Sequence, residues 1–184
     1  MSKAFTREDS DAEEPADDGE LERLLANDAP RYITQAGFER LQQEFHEGST
    51  VTRPTLARET AEATAAGERT ESAEAVLRKK RLRDLDKRLR LLPHLLERLT
   101  VVPPIAREDG RAYFGARVTV EDDDGKRSTF RLVGPDELDA ERGHVSADSP
   151  LGKALLGKRE GDDVTVTRPR GVTEYVVVGV AYDA

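Results

Sequence analysis

Leucines recur at Leu82, Leu85, Leu89, Leu92, Leu96 and Leu99, in alternating steps of three and four. That alternation holds one apolar seam toward a single partner helix. Upstream, Phe38, Leu41 and Phe45 repeat the spacing just after Thr34, a residue type suited to capping a helix start. Beyond Phe45 the apolar stripe thins to small side chains (Ala57, Ala61, Ala63, Ala65, Ala66) before Gly67. The pattern predicts helix from about Thr34 to Thr100, interrupted near Gly67, and two such stretches with a short connection pack antiparallel as a hairpin. The Phe-rich start of the first arm then meets the Leu-rich end of the second, and the tip near 66–74 has little hydrophobic support. Roughly 30 residues per arm at about 1.5 Å each gives an arm on the order of 45 Å, a length that suits reaching into something rather than closing a small core. Pro54 and Pro93 fall inside the arms; each predicts a kink or break, and Pro93, within the leucine seam, a bend rather than an end.

After Thr100 the period changes. Val101 to Gly110, with Pro103 and Pro104, reads as a linker. From Arg111 to Ala184 the signals are those of short strands. Val118 and Val120 alternate within Ala112–Val120, Asp124-Gly125 marks a hairpin turn into Ser128–Val133, and Val164–Val166 and Tyr175–Val180 supply two more strands around a turn at Pro169–Gly171. Ser149-Pro150 predicts the start of a short helix that Gly157 ends. The fold class is α+β, an N-terminal antiparallel coiled-coil hairpin over 31–100 followed by a small β-rich domain over 111–184.

Composition agrees with a solvated rod beside one compact module. The chain has 184 residues, 36% hydrophobic and 36% charged, too charged for a single large core. Ten acidic residues stand against three basic ones in residues 1–30, a net of −7 out of the chain's −8. That stretch reads as a solvated acidic tail, or as an electrostatic mask for basic surfaces elsewhere. No run of 18 apolar residues spans a membrane, and no basic start followed by an apolar stretch marks a secretory signal. Cysteine is absent, which removes disulfides and Cys-based zinc sites and fits a cytoplasmic protein.

Chemistry of the chain's own has little support. His46, His94 and His144 are far apart in sequence, which makes a zinc site improbable without cysteine. Neither a nucleophile elbow nor a phosphate-cradling glycine loop occurs. Two features remain. At the tip, Glu68, Glu71 and Glu74 are spaced by three, with Thr70 placed to cap the second arm. They are either ordinary first-turn carboxylates favoured by the helix dipole, or oxygen ligands carried by a rigid arm to a Mg²⁺ site on a partner. On the second arm, Arg78, Lys79, Lys80, Arg81, Arg83, Lys87, Arg88 and Arg90 outnumber Asp84 and Asp86. This is either a solvated face or a strip that tracks an RNA backbone. The absence of aromatic residues there argues against base stacking and sequence readout. An unrelated coiled-coil scaffold without chemistry is a further, less favoured alternative.

Several stretches in order resemble one family. RYITQAGFERLQQEF resembles the opening helix of the bacterial Gre transcript-cleavage factors, GERTESAE their acidic tip motif (usually GDxSENAE or GDRSENAD), and KKRLRDLDKRLRLL the basic second helix, nearer the GreB type than GreA. YFGARVTVEDDDGKRSTFRLVGPDE and VSADSPLGKALLGKREGDDVTV resemble the C-terminal segment, so the likeness covers about residues 31–183. The resemblance implies an FKBP-like C-terminal domain without isomerase activity, in keeping with the few aromatic residues there. It implies RNA polymerase as partner, with the hairpin inserted in its secondary channel near the nascent RNA 3′ end. It further implies no cofactor of the protein's own: the tip carboxylates help hold a Mg²⁺ in the polymerase active site, and polymerase cleaves the RNA of a backtracked complex. On this likeness the family's tip Asp falls on Glu68, its Glu on Glu71, its Ser on Thr70, its Asn on Ser72 and the following acid on Glu74. Glu68 is one methylene longer than the usual Asp, and Ala75 stands where the family has an aromatic residue. These departures bear on cleavage efficiency, through misplacement of a ligand on the ångström scale, more than on docking, and they motivate the alternative of a secondary-channel regulator that does not promote cleavage. A monomer is expected.

Overall fold

The computed structural model describes residues 19–26, 29–67, 72–103, 109–168 and 171–182. Thr34 starts the rod, its hydroxyl accepting the Gly37 N–H at 3.0 Å at the head of α2 (Gln35–Glu47). The helix widens to a π turn over Gly48–Thr52 and continues as α3 (Arg53–Ala65), with Pro54 in its first turn. The proline explains the widening. It has no N–H to give and its ring would crowd a carbonyl one turn back, so the backbone opens to an i→i+5 turn instead of breaking. On this stretch hydroxyls bond back to carbonyls one turn earlier: Ser49 donates to the Phe45 carbonyl and Thr50 to that of His46, each at 2.7 Å. The second arm, α4 (Ala73–Arg98), runs unbroken through Pro93.

Cross-arm contacts establish the antiparallel pairing. Arg88 bonds both carboxylate oxygens of Glu44, at 2.6 and 2.9 Å, and Arg53 bonds Asp86 at 2.7 Å. At the π turn the arms approach closely, and a Cβ on Gly48 would lie 2.8 Å from Cδ2 of Leu89. The rod base is closed by a two-stranded parallel sheet, β1 (Arg31–Thr34) beside β2 (Leu99–Val102). Helix therefore ends at Arg98. Leu99, expected as the last member of the leucine seam, turns into a strand, and the linker begins after Val102 rather than at Val101; residues 104–108 lie outside the described residues.

Within the acidic stretch 1–30, residues 19–26 differ from the solvated tail expected there. Residues Gly19–Ala26 form α1, and Leu24 is buried with Ile33, Leu41, Leu91, Leu92 and Leu95. The reason lies on α4. Leu91 and Leu95 stand outside the seam that meets α2, so the helix presents a second apolar strip at its base that needs a cover. Residues 1–18 lie outside the described residues.

The C-terminal module is a five-stranded sheet in the order β5-β4-β3-β7-β6, made of β3 (Arg117–Asp122), β4 (Arg127–Val133), β5 (His144–Ser146), β6 (Asp163–Arg168) and β7 (Gly171–Ala181). All neighbours are antiparallel except β4 and β5. Asp122–Gly125 makes the expected hairpin turn, with Gly125 at φ 75. Ser149 caps α5 (Pro150–Leu155), its hydroxyl accepting the Gly152 N–H, and Gly157 follows at φ 77. Val118, Val120, Leu132, Leu155, Val164, Val166 and Val177 form the core, each essentially fully buried. The short β5 has no period-2 signal of its own. It exists because its backbone finds Arg131–Val133 as an edge to pair with.

Candidate functional site

Packing along the rod falls off steeply toward the tip. At the base Leu92 is 0% exposed and Leu41 2%, whereas α3 buries none of its residues and α4 buries only Ala75 in its first half. The first arm ends in a turn with Gly67 at φ 81, a left-handed stop that glycine adopts without strain. The second starts at Ser72, whose hydroxyl accepts the Ala75 N–H at 3.1 Å. Ser72, not Thr70, is thus the helix cap. Ala75 is 8% exposed, so the position that departs from the family's aromatic residue faces inward, filled by a methyl group. Val76 and Leu77 beside it are about half exposed. Glu74 sits exposed in the first turn of α4, where the helix dipole favours a negative charge. Glu68 and Glu71, with Thr70, lie outside the described residues. Among the described residues no group of three or more His, Asp or Glu is placed to hold a metal ion.

The basic residues of α4 fall into two sets. Lys79, Lys80, Arg81, Arg83, Lys87 and Arg90 are exposed; Arg78, Arg88 and Arg98 are half-buried. Arg88 faces the other arm and is held in its bidentate pair with Glu44. It spans the rod and contributes to the positive surface only from within that pair. Lys79, Arg83 and Lys87 follow at intervals of four, so they share one inclined ridge on the helix.

The junction between rod and C-terminal module joins Arg31 and the Thr34 cap to Asp136 and Glu137, two acids that do not stand out in the sequence. Beyond β4, Pro135–Glu137 forms one 3-10 turn that places Glu137 against the rod base, 2% exposed. Its carboxylate accepts the Thr34 N–H at 2.8 Å and the Thr34 hydroxyl, while that hydroxyl accepts from Gly37. One carboxylate therefore closes the N-terminal cap of the rod's first helix from the other module. Arg31 clasps Asp136 through two hydrogen bonds at 2.6 and 3.1 Å, and Tyr32 meets Phe114 edge to face at 6.5 Å. Glycines permit the approach: a Cβ on Gly37 would lie 2.1 Å from Oε1 of Glu137, and one on Gly134 1.9 Å from the Tyr32 carbonyl. The available signal was Gly37 itself, a glycine in the first turn of an otherwise regular helix, where it costs roughly 0.5–1 kcal/mol against alanine unless something must come close.

Comparison with known proteins covers both modules. Residues 31–101 match the family described as "Transcription elongation factor, N-terminal", and residues 107–182 match "Transcription elongation factor, GreA/GreB, C-term". "Transcription elongation factor GreB" of Yersinia pestis is 42% identical over 151 residues, covering 82% of this chain and 88% of that protein. The protein of the same name from Pseudomonas aeruginosa is 45% identical over 150 residues (82% and 89%), and that from Xanthomonas axonopodis 42% over 161 (87% and 96%). The chain therefore belongs to the GreA/GreB family of transcription elongation factors.

Proposed function

We propose that this protein binds RNA polymerase, inserts its rod into the secondary channel and stimulates polymerase to cleave the nascent RNA of backtracked complexes. The observation that supports this most is the rod itself. Its second arm has 26 helical residues, on the order of 40 Å at about 1.5 Å per residue. Its packing dwindles to Ala75 at the end that lies next in sequence to Glu68, Glu71 and Glu74. The protein contributes no active site of its own; it stimulates the intrinsic activity of polymerase, acting as a cytoplasmic monomer. No described helix is long and apolar enough to cross a membrane.

Carboxylate oxygens are the ligands Mg²⁺ prefers, and it takes only one or two from protein. Glu68 and Glu71 fit that need as ligands to an ion shared with the polymerase site, with Glu74 supporting from the first turn of α4. In that site the ion supplies water activation for in-line attack on the phosphodiester. The residues of this chain place and hold oxygen ligands, and the exposed basic residues of α4 (Lys79, Lys80, Arg81, Arg83, Lys87), with Arg78 and Arg88 beside them, run along the RNA backbone by charge.

A stalled, backtracked elongation complex incubated with the protein and Mg²⁺ tests this. Short 3′ RNA fragments are expected at saturating factor. Glu71→Ala should lower their rate by roughly 10²-fold or more, and Glu68→Asp should raise it. The inward Ala75 and the longer Glu68 favour a second reading, a regulator that occupies the channel without promoting cleavage. That reading expects no fragments, together with competition against a cleavage-competent relative. Absence of polymerase binding would end both.

A further inference from the structure

Lys79, Arg83, Lys87, Leu91 and Leu95 succeed one another at intervals of four on α4, and so form a single inclined ridge. Its base end is apolar, and Leu91 and Leu95 are buried in the cluster that includes Leu24 of α1. Toward the tip the same ridge is basic and exposed, with Lys80 beside it. α1 thus sits on the apolar end of the ridge whose other end is positive. The chain that leads into α1, residues 1–18, carries seven acidic groups and two basic ones. Both α1 and this segment precede the family-matched region, which begins at residue 31.

We propose that the acidic segment 1–18 is a tethered polyanion that occupies the basic ridge of its own α4 and competes there with RNA phosphates. Charge is complementary: residues 1–18 carry seven carboxylates and two cations, and the ridge carries Lys79, Arg83 and Lys87 with Lys80 beside it. Reach is sufficient. Leu91 to Lys79 is 12 residues of helix, about 18 Å at about 1.5 Å each, whereas 18 residues of chain average roughly 23 Å end to end as a coil. Anchoring by α1 makes the encounter intramolecular, so weak ion pairing acts at an effective concentration on the order of millimolar. The ridge then rejects stray polyanions at low ionic strength and yields to RNA that is held in place by other contacts. This goes beyond the polymerase reading and stands without it.

The test uses the full chain, which has no cysteine, so that Ser10→Cys provides a unique attachment point for a nitroxide. Amide signals of residues 79–87 should be attenuated at 50 mM salt and recover at 500 mM, since screening shortens the range of exposed charges from about 14 Å to about 4 Å. Signals of the C-terminal strands should stay intact throughout. Intact signals at 79–87 in low salt overturn the proposal, and so does attenuation spread evenly over the C-terminal strands. A mixture of nitroxide-bearing and separately isotope-labelled protein that shows the same attenuation assigns the contact to two copies and overturns the intramolecular form. A second measurement reads the competition. With the seven carboxylates of residues 1–18 changed to their amides (Glu8→Gln, Asp9→Asn and so on through Asp18→Asn), affinity for a short oligouridine should rise roughly 3- to 10-fold at 50 mM salt. The gain should vanish when Lys79→Gln, Arg83→Gln and Lys87→Gln are added. An unchanged affinity, or a gain that survives loss of the ridge, overturns it. Neither measurement involves polymerase, so failure of the cleavage assay leaves this result intact.

Discussion

Gly37→Ala is the substitution whose sign depends most sharply on the junction. In an ordinary helix the change stabilises by roughly 0.5–1 kcal/mol, because alanine loses less backbone freedom than glycine. Here the new methyl would sit 2.1 Å from Oε1, 2.3 Å from Cδ and 2.6 Å from Cγ of Glu137, so the carboxylate must leave. With it go the bonds from the Thr34 N–H and hydroxyl, in a setting where Thr34 is 4% and Glu137 2% exposed. Hydrogen bonds to a charged group are worth about 1.5–3 kcal/mol, and buried donors left unsatisfied cost about 1–3 kcal/mol. Relief of carboxylate burial and the helix-propensity gain offset part of this, leaving a net loss of about 2–4 kcal/mol. For a chain of this size that lowers Tm by roughly 4–16 °C. In a Glu137→Ala background the space is open and the bonds already gone, so Gly37→Ala should be neutral or stabilise by up to about 1 kcal/mol. Thermal and urea unfolding of the four proteins, followed by circular dichroism, gives the coupling directly. Equal losses from Gly37→Ala in both backgrounds would refute the placement of Glu137 against the rod base.

Leu92→Ala, at the fully buried centre of the base cluster, should cost about 2–5 kcal/mol, read from the same unfolding curves. Gly48→Ala forces a methyl against Cδ2 of Leu89 at 2.8 Å and should cost about 1–3 kcal/mol. Shortening the neighbour with Leu89→Ala should recover part of that loss in the double variant. On the basic face, Lys79→Gln with Lys80→Gln should weaken RNA-dependent binding most at low salt, reducing the slope of log affinity against log salt by at most about 1.4. Binding and cleavage unchanged at every ionic strength would remove these lysines from the interface.

What the sequence determined by itself is whatever local periodicity encodes. The 3-4 spacing of Leu82 to Leu96 and of Phe38 to Phe45 specified two arms, and Gly67 marked the turn between them, since a seam facing one partner repeats on every heptad. Asp124-Gly125 and Ser149-Pro150 were equally legible, because turn and cap chemistry acts within a few residues. Tertiary structure decided the rest. Leu91 and Leu95 break the seam's period, and only the docked α1 shows what they meet; acidity obscured that short helix in the sequence. The π turn at Gly48–Thr52 reconciles Pro54 with a continuous arm, at a place where Leu89 of the other arm comes close to Gly48. Glu137 reads in sequence as one more surface acid after a Gly-Pro turn. It becomes a junction residue because folding brings it across 103 residues to the Thr34 cap, and a contact between modules leaves no periodic trace in either one.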